Sequence, residues 1–290
     1  MRRSLAFLFA AAAACLSPAL AGPLTRQPSG HWSAPVIVNG LGPFEFVVDT
    51  AASGSAVFPA LRERLALKGA EQGRSQVHGA SGVQSFELFP LQSLSLDGRR
   101  RDRLVAVGLN GIANDNVTGG IVGADLLSHY VAEFDFPAGQ LRLHDPGTEL
   151  AGNWGSVPFT LNRTRFVVLQ GRLDGRPVTM ILDTGARRTI VNWAAAEQAG
   201  VTKESDGFRP AESVGGATEH RTPALLRDFR SLSAGELDLG GQAITIAELP
   251  VFAQLGINGP AMILGLDRLR ALRIAIDYPR GRLLFQRPRN

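Results

Sequence analysis

Asp49 and Asp183 are the residues whose surroundings point most directly to chemistry. Each closes an apolar run, in Phe46-Val47-Val48-Asp49-Thr50-Ala51-Ala52 and in Met180-Ile181-Leu182-Asp183-Thr184-Gly185-Ala186, 134 positions apart. Three apolar residues read as a buried strand, and a carboxyl group at its end lies where loss of solvent raises its pKa. Glycine at position 185 lets the backbone turn sharply and bring N–H groups against the acid. One such stretch also looks like a surface turn after a strand. Two in the same local setting can face each other across a pseudo-twofold axis and share one proton, which is what paired acid-base chemistry needs.

No other chemistry-bearing residues assemble into a pattern. The five histidines (His31, His78, His129, His144 and His220) show no metal-ligand spacing and no His-Glu-x-x-His, so neither a metal nor another cofactor is expected. Gly119-Gly120-Ile121-Val122-Gly123 lacks both the GxGxxG spacing and the Lys-Ser/Thr of a phosphate cradle, and reads as packing glycine. Arg99-Arg100-Arg101 follows Asp97-Gly98 without interleaved aromatics and reads as a solvated hairpin turn rather than a nucleic-acid footprint. Arg187 and Arg188, directly after the second acid loop, are expected to face solvent; turned inward they would depress the acid's pKa.

The segment from Met1 to Ala21 carries Arg2, Arg3, an apolar core from Leu5 to Ala14, and Ala19-Leu20-Ala21 before Gly22. This is the pattern of a cleaved secretory signal peptide, and it places the protein in the periplasm or outside the cell. Cys15, the single cysteine, falls inside it, so cleavage leaves no thiol nucleophile, disulfide or thiolate metal site. Ala13-Ala14-Cys15 read as a lipoprotein site would tether the chain to a membrane, but Ala12 stands where such sites carry leucine. No membrane contact is expected unless Cys15 is lipidated. Removing Arg2 and Arg3 from 30 basic residues leaves 28 against 26 acids, close to neutral.

The elements that must position the two acids are legible as an internal repeat. The stretch from Ile121-Val122-Gly123-Ala124-Asp125 to Leu143 aligns without gaps on Ile263-Leu264-Gly265-Leu266-Asp267 to Phe285, shifted by 142 throughout. One lobe is expected over residues 31–144 and a second over 158–288, joined by a linker at 145–157. Strand signals dominate each lobe. Val36-Ile37-Val38 before Asn39-Gly40, and Phe166 to Leu169 before Asp174-Gly175, predict hairpins running into the acid-bearing strands. Short helices are expected at Pro59 to Leu67, at Trp193 to Ala199, and after Gly123 and Gly265. Each lobe also carries a glycine-rich hairpin tip, Val77-His78-Gly79-Ala80-Ser81-Gly82 and Val214-Gly215-Gly216-Ala217-Thr218. Such tips can fold over a bound substrate and exclude water.

Two Asp-Thr-Gly/Ala-Ala loops, each followed by an apolar-apolar-Gly segment and a short helix, resemble the aspartic peptidases, specifically retropepsin-like lobes joined in tandem as in bacterial single-chain members. The resemblance covers almost all of the chain after the signal peptide. It implies an all-β, mostly antiparallel, bilobal pseudo-twofold fold with short helices and a cleft that takes polypeptide. It makes Asp49 and Asp183 the catalytic pair, with Thr50 and Thr184 bracing one loop against the other and Ala51 and Gly185 each supplying an N–H. It makes His78, Gly79 and Ala80, with Gly215 and Gly216, the flaps. One chain then supplies both lobes, and a monomer suffices. Ala51 departs from the pattern, since a methyl replaces glycine where positive φ would strain it. A binding protein that keeps the cleft without turnover is the second reading, and acids that merely cap loops are the third.

Overall fold

A computed structural model describes residues 22–286, apart from 72 and 114. The expected signal peptide, Cys15 with it, and the last two residues of the second lobe lie outside the described residues. The described chain is mostly β-strand, arranged in two sheets with five short helices.

Each acid is delivered by the same construction. In the first lobe Trp32–Val38 and Leu41–Val48 form a hairpin closed by Asn39 and Gly40 at φ 52° and 80°. In the second, Val167–Leu173 and Arg176–Leu182 are closed by Asp174 and Gly175 at φ 46° and 77°. Two successive positive φ values match the twist of a two-residue hairpin, which is why the turns are Asn-Gly and Asp-Gly. Behind the acid-bearing strand runs a parallel partner taken from the repeat. Val47 pairs with Ile121, and Ile181 pairs with Ile263. The other edge of that partner pairs with the short strand that leaves the acid loop, Ala56–Val57 or Ile190–Val191. Both ends of each loop are therefore pinned to one strand.

The repeat glycines follow from this closeness. A Cβ on Gly123 would press on the carbonyls of Ala52 and Gly54, and one on Gly265 on those of Ala186 and Arg188. Only hydrogen fits, so the strand can lie directly under the loop.

The lobes share a sheet. Its strands run in the order Gly22–Pro23, Gln140–His144, Val131–Asp135, Arg273–Asp277, Arg282–Gln286 and Gly155–Leu161. At the centre Val131 pairs with Asp277, Asp135 with Arg273, and Glu133 with Ala275. Because repeat mates differ by 142 positions, Glu133 lies opposite its own mate, and the pseudo-twofold axis passes there. Gly155–Leu161 pairs with Arg282–Gln286, so the sheet begins inside the 145–157 stretch expected as a linker. Most of the buried apolar residues of both lobes form one continuous core, and a smaller cluster sits beside each acid loop.

Helices form at Pro59–Arg64, Ala124–Leu127, Trp193–Gln198 and Leu266–Leu269, as the sequence predicts, and also at Pro250–Gln254. The last has proline in its first turn, where a missing N–H costs nothing. The two tips differ. The first is a regular hairpin of Arg74–Gly79 on Gly82–Leu96, whereas the second is an irregular one, paired at its base by Arg209 with Leu226 and Pro210 with Leu225 and nearer its tip by a single bridge, Val214 to Thr222. Gly215-Gly216 brings no side chains to pack, and Pro210 and Pro223 on either side donate no ladder hydrogen bonds.

Candidate active site

The two acid loops meet at the middle of the molecule. Asp49 N–H donates to the Val122 carbonyl and Asp183 N–H to that of Leu264, each at 3.0 Å, which fixes where the carboxyl groups start. Ala51 N–H donates to Asp49 Oδ1 at 2.8 Å. Gly185 and Ala186 N–H groups both donate to Asp183 Oδ1 at 2.8 Å. The two carboxyl groups lie close enough for the charge on one to act on the other. A Cβ on Gly185 would overlap the Asp49 carboxyl group, so glycine there is a condition of the approach. Ala51 is different: its φ is not positive, and its methyl packs on the second lobe's cluster around Ile181 and Ile263. The strain expected of alanine at that position is absent.

Thr50 and Thr184 lock the loops together with four bonds. Thr50 N–H donates to Thr184 Oγ1 at 3.1 Å and Thr184 N–H to Thr50 Oγ1 at 3.0 Å. The hydroxyls in turn donate across the axis, Thr50 to the Leu182 carbonyl at 2.9 Å and Thr184 to that of Val48 at 2.7 Å. Both residues are buried, so each hydroxyl must both donate and accept to offset its lost solvation.

A second brace was not assigned from sequence. Asp125 accepts from Ser55 N–H and Oγ at 2.9 and 2.8 Å, and Asp267 from Thr189 N–H and Oγ1 at 2.8 and 2.7 Å. The same hydroxyls accept from the N–H groups of Gly123 and Gly265. Each acid loop is thus tied at its far end to the helix that follows the repeat strand. The signal was present in the repeat, where acids at 125 and 267 accompany hydroxyls at 55 and 189.

Electrostatics separate the two carboxyls. Burial raises Asp49 above the usual carboxylate range, opposed by the N–H groups of Ala51 and Ala52 and by the bond from Asp183. Asp183 is raised much further, by burial and then by the charge on Asp49. Two carboxylates this close do not both ionise readily, so the pair is held above the ordinary carboxylate range and shares one proton. Neither Arg187 nor Arg188 is among the groups that shift Asp183. Their side chains are about half exposed, at 52% and 49%, and approach Glu212 at 3.9 and 3.8 Å.

Each tip packs on the opposite lobe. Ala80 packs on the second lobe's cluster of Ile181, Ile190, Val251 and Ile263, and its carbonyl accepts from Val251 N–H at 3.4 Å. Ala217 packs on the first lobe's cluster of Ala56, Phe58, Phe86 and Leu109. Ser81 Oγ donates to the Val214 carbonyl at 2.8 Å, and Glu219 N–H to Gln84 Oε1 at 3.1 Å. Gly79 lies against Thr218, Gly82 against the His220 ring, and Gly216 against Ala80. Gly215 lies against Arg221 of its own loop, and His78 is exposed on the hairpin. Of the expected tip residues, Gly79, Ala80 and Gly216 therefore meet the opposite lobe. Asp49, Asp183, Thr50, Thr184, Ala51 and Gly185 come together as expected. Among the described residues no group of three or more His, Cys, Asp or Glu is placed to hold a metal ion.

A family model described as aspartyl protease matches residues 34–126 and 169–267, one stretch in each lobe. The chain belongs to the aspartyl protease family. No curated protein sequence matches it significantly. The two matched stretches each contain one acid loop and run through the brace acids Asp125 and Asp267, so the family pattern covers the repeated construction twice. In this aspartyl protease the loops, braces and tips form one hydrogen-bonded unit across the pseudo-twofold axis.

Proposed function

We propose that the protein is a secreted or periplasmic endopeptidase in which Asp49 and Asp183 activate water against a peptide bond. The observation that carries this reading is the pair of half-buried aspartates brought together by two loops that Thr50 and Thr184 lock across the pseudo-twofold axis. Asp49, charged, takes a proton from a water molecule whose oxygen attacks the scissile carbonyl carbon. Asp183 gives its proton to the carbonyl oxygen, so the carbon becomes a tetrahedral gem-diol with no covalent bond to the enzyme. Collapse breaks the C–N bond. The departing amine takes the proton from Asp49, and a gem-diol hydroxyl returns one to Asp183 as the new acid forms.

The apolar clusters beside the acid loops suit apolar side chains on both sides of the cleaved bond. One contains Ile181, Ile190 and Ile263, the other Ala56, Phe86 and Ile121, and the tips pack over both. Both acids come from one chain, so no second copy is needed. The second reading, a binding protein without turnover, rests on strain at Ala51; the absence of a positive φ there supports turnover instead.

Digestion of a mixed peptide library by residues 22–290, from acidic to neutral pH, tests the proposal beside Asp183→Asn. Cleavage between apolar residues, lost by at least 100-fold in the variant while its melting temperature is not lowered, is the expected result. An active Asp183→Asn protein would sink it.

A further inference from the structure

The repeat makes the two halves of the cleft comparable residue by residue, and they differ in charge. Gly123 presses on the carbonyls of Ala52 and Gly54, and Gly265 on those of Ala186 and Arg188. Arg188 is therefore the structural mate of Gly54, and Arg187 that of Ser53. One side of the axis has a glycine and a small hydroxyl directly after the acid loop. The other has two guanidinium groups.

These groups lie between the acid loop and the segment leading to the second tip. Arg187 follows Ala186, whose N–H holds Asp183 and whose methyl packs on the apolar cluster. It also reaches the N-terminal segment, where its Nη1 donates to the Ser29 carbonyl at 3.4 Å and its stem lies against Gly30. Glu212, two residues before Val214, is the carboxylate they share. Its distances of 3.9 and 3.8 Å exceed hydrogen-bonding range, and its side chain is 72% exposed. Asp115 is nearby but already accepts from Ser29, Val117 and Thr118. Burial and the charge of Arg187 hold His31 down at about 4, so that ring is neutral and adds no charge at neutral pH. Two guanidiniums thus share one loosely held, displaceable carboxylate, a few residues from the acid pair.

We propose that Arg187 and Arg188 form a basic subsite that selects peptides with an acidic side chain two or three residues from the scissile bond, on one side only. An extended peptide advances about 3.3 Å per residue, so such a side chain lies roughly 7–10 Å from the cleaved bond, within reach of an arginine just beyond the acid loop. The incoming carboxylate displaces Glu212 and gains the close, paired geometry that Glu212 lacks. The inference rests on the peptidase reading for its location.

The test is a set of peptides with apolar residues at the cleaved bond and Glu, Gln or Lys placed in turn at the second and third positions on each side. The expected kcat/KM preference for Glu over Gln is about fivefold to tenfold, on one side of the bond, and shrinks at high salt. It falls to about one in Arg187→Ala/Arg188→Ala and turns toward Lys in Arg187→Glu/Arg188→Glu. The same labelled peptides are titrated by fluorescence anisotropy onto Asp183→Asn, with and without the arginine substitutions, so the preference is read even where no peptide is cut. If loss of the Ser29 contact unfolds the double variant, Arg188→Ala alone carries the comparison. Equal handling of Glu and Gln in both assays overturns the inference, as does a Glu preference that survives removal of both arginines. Absence of cleavage together with an arginine-dependent Glu preference in binding would overturn only the peptidase reading.

Discussion

Two half-buried carboxyl groups held close together set a limit on how the folded protein responds to pH. Asp183 keeps its proton in the fold at pH values where the unfolded chain, with an ordinary aspartate near 3.9, has released it. A folded-state pKa raised above the unfolded value stabilises fully below the unfolded pKa and loses that contribution as pH rises through the folded pKa. Acidification toward pH 4 should therefore favour the fold through this residue, and neutral pH should disfavour it. In Asp183→Asn the amide still donates to Asp49 but no longer titrates. We expect its melting temperature to match wild type near pH 4 and to exceed it by a few degrees at pH 7. Melting curves at pH 4, 5.5 and 7 decide the matter, and parallel curves would show that Asp183 is already ionised in the fold. The asymmetry between Gly185 and Ala51 is a residue-scale fact of the same pair. A methyl fits on the side where it packs on Ile181 and Ile263, and not where it would strike Asp49.

At the scale of elements, the loops are fixed by what they cross rather than by their own length. Thr184→Val keeps shape and volume, but it takes the acceptor from Thr50 N–H and the donor from the Val48 carbonyl, in a site without solvent. The expected cost is about 2–4 kcal/mol of stability, with at least a tenfold loss of hydrolysis as the loops loosen. Thr184→Ser, which keeps the hydroxyl, should recover most of both. A valine variant as stable as wild type in urea titration would remove the brace from the argument. These elements were legible to different degrees. Asn39-Gly40 and Asp174-Gly175 fixed both hairpins because their positive φ values admit few residues, and the 142-residue shift exposed the strand behind each loop. The ties from Asp125 and Asp267 were hidden because a carboxylate in a first helical turn already has a local explanation in the helix dipole. The second tip is a hairpin as its glycines suggested, but glycine content does not show how short its ladder is, two pairs at Arg209–Pro210 and one bridge at Val214.

The whole molecule closes on itself twice, at opposite ends of the pseudo-twofold axis. At one end Glu133, at the centre of the shared sheet, binds His144 at 2.6 Å and Arg273 at 2.7 Å, joining the lobes by a charged network that holds Glu133 below the usual carboxylate range. A buried acid with two hydrogen-bonded partners fixes register, because any slip leaves it unpaired. At the other end the tips are interlocked, with Ala80 in the second lobe's cluster and Ala217 in the first's. Under the proposed peptidase function, a polypeptide would reach the two acids only after the tips part, and the tips would re-form over it. The geometry offers a direct test. A Cβ built on Gly216 lies 3.4 Å from that of Ala80, close to the roughly 3.5–4.5 Å separation of a disulfide. Ala80→Cys/Gly216→Cys, in residues 22–290 so that Cys15 cannot mispair, should form the bond on oxidation and melt at a higher temperature. It should lose at least tenfold of its peptide hydrolysis and regain it on reduction. Full activity in the oxidised form, with the disulfide confirmed by mass, would mean that substrate reaches Asp49 and Asp183 without passing between the tips.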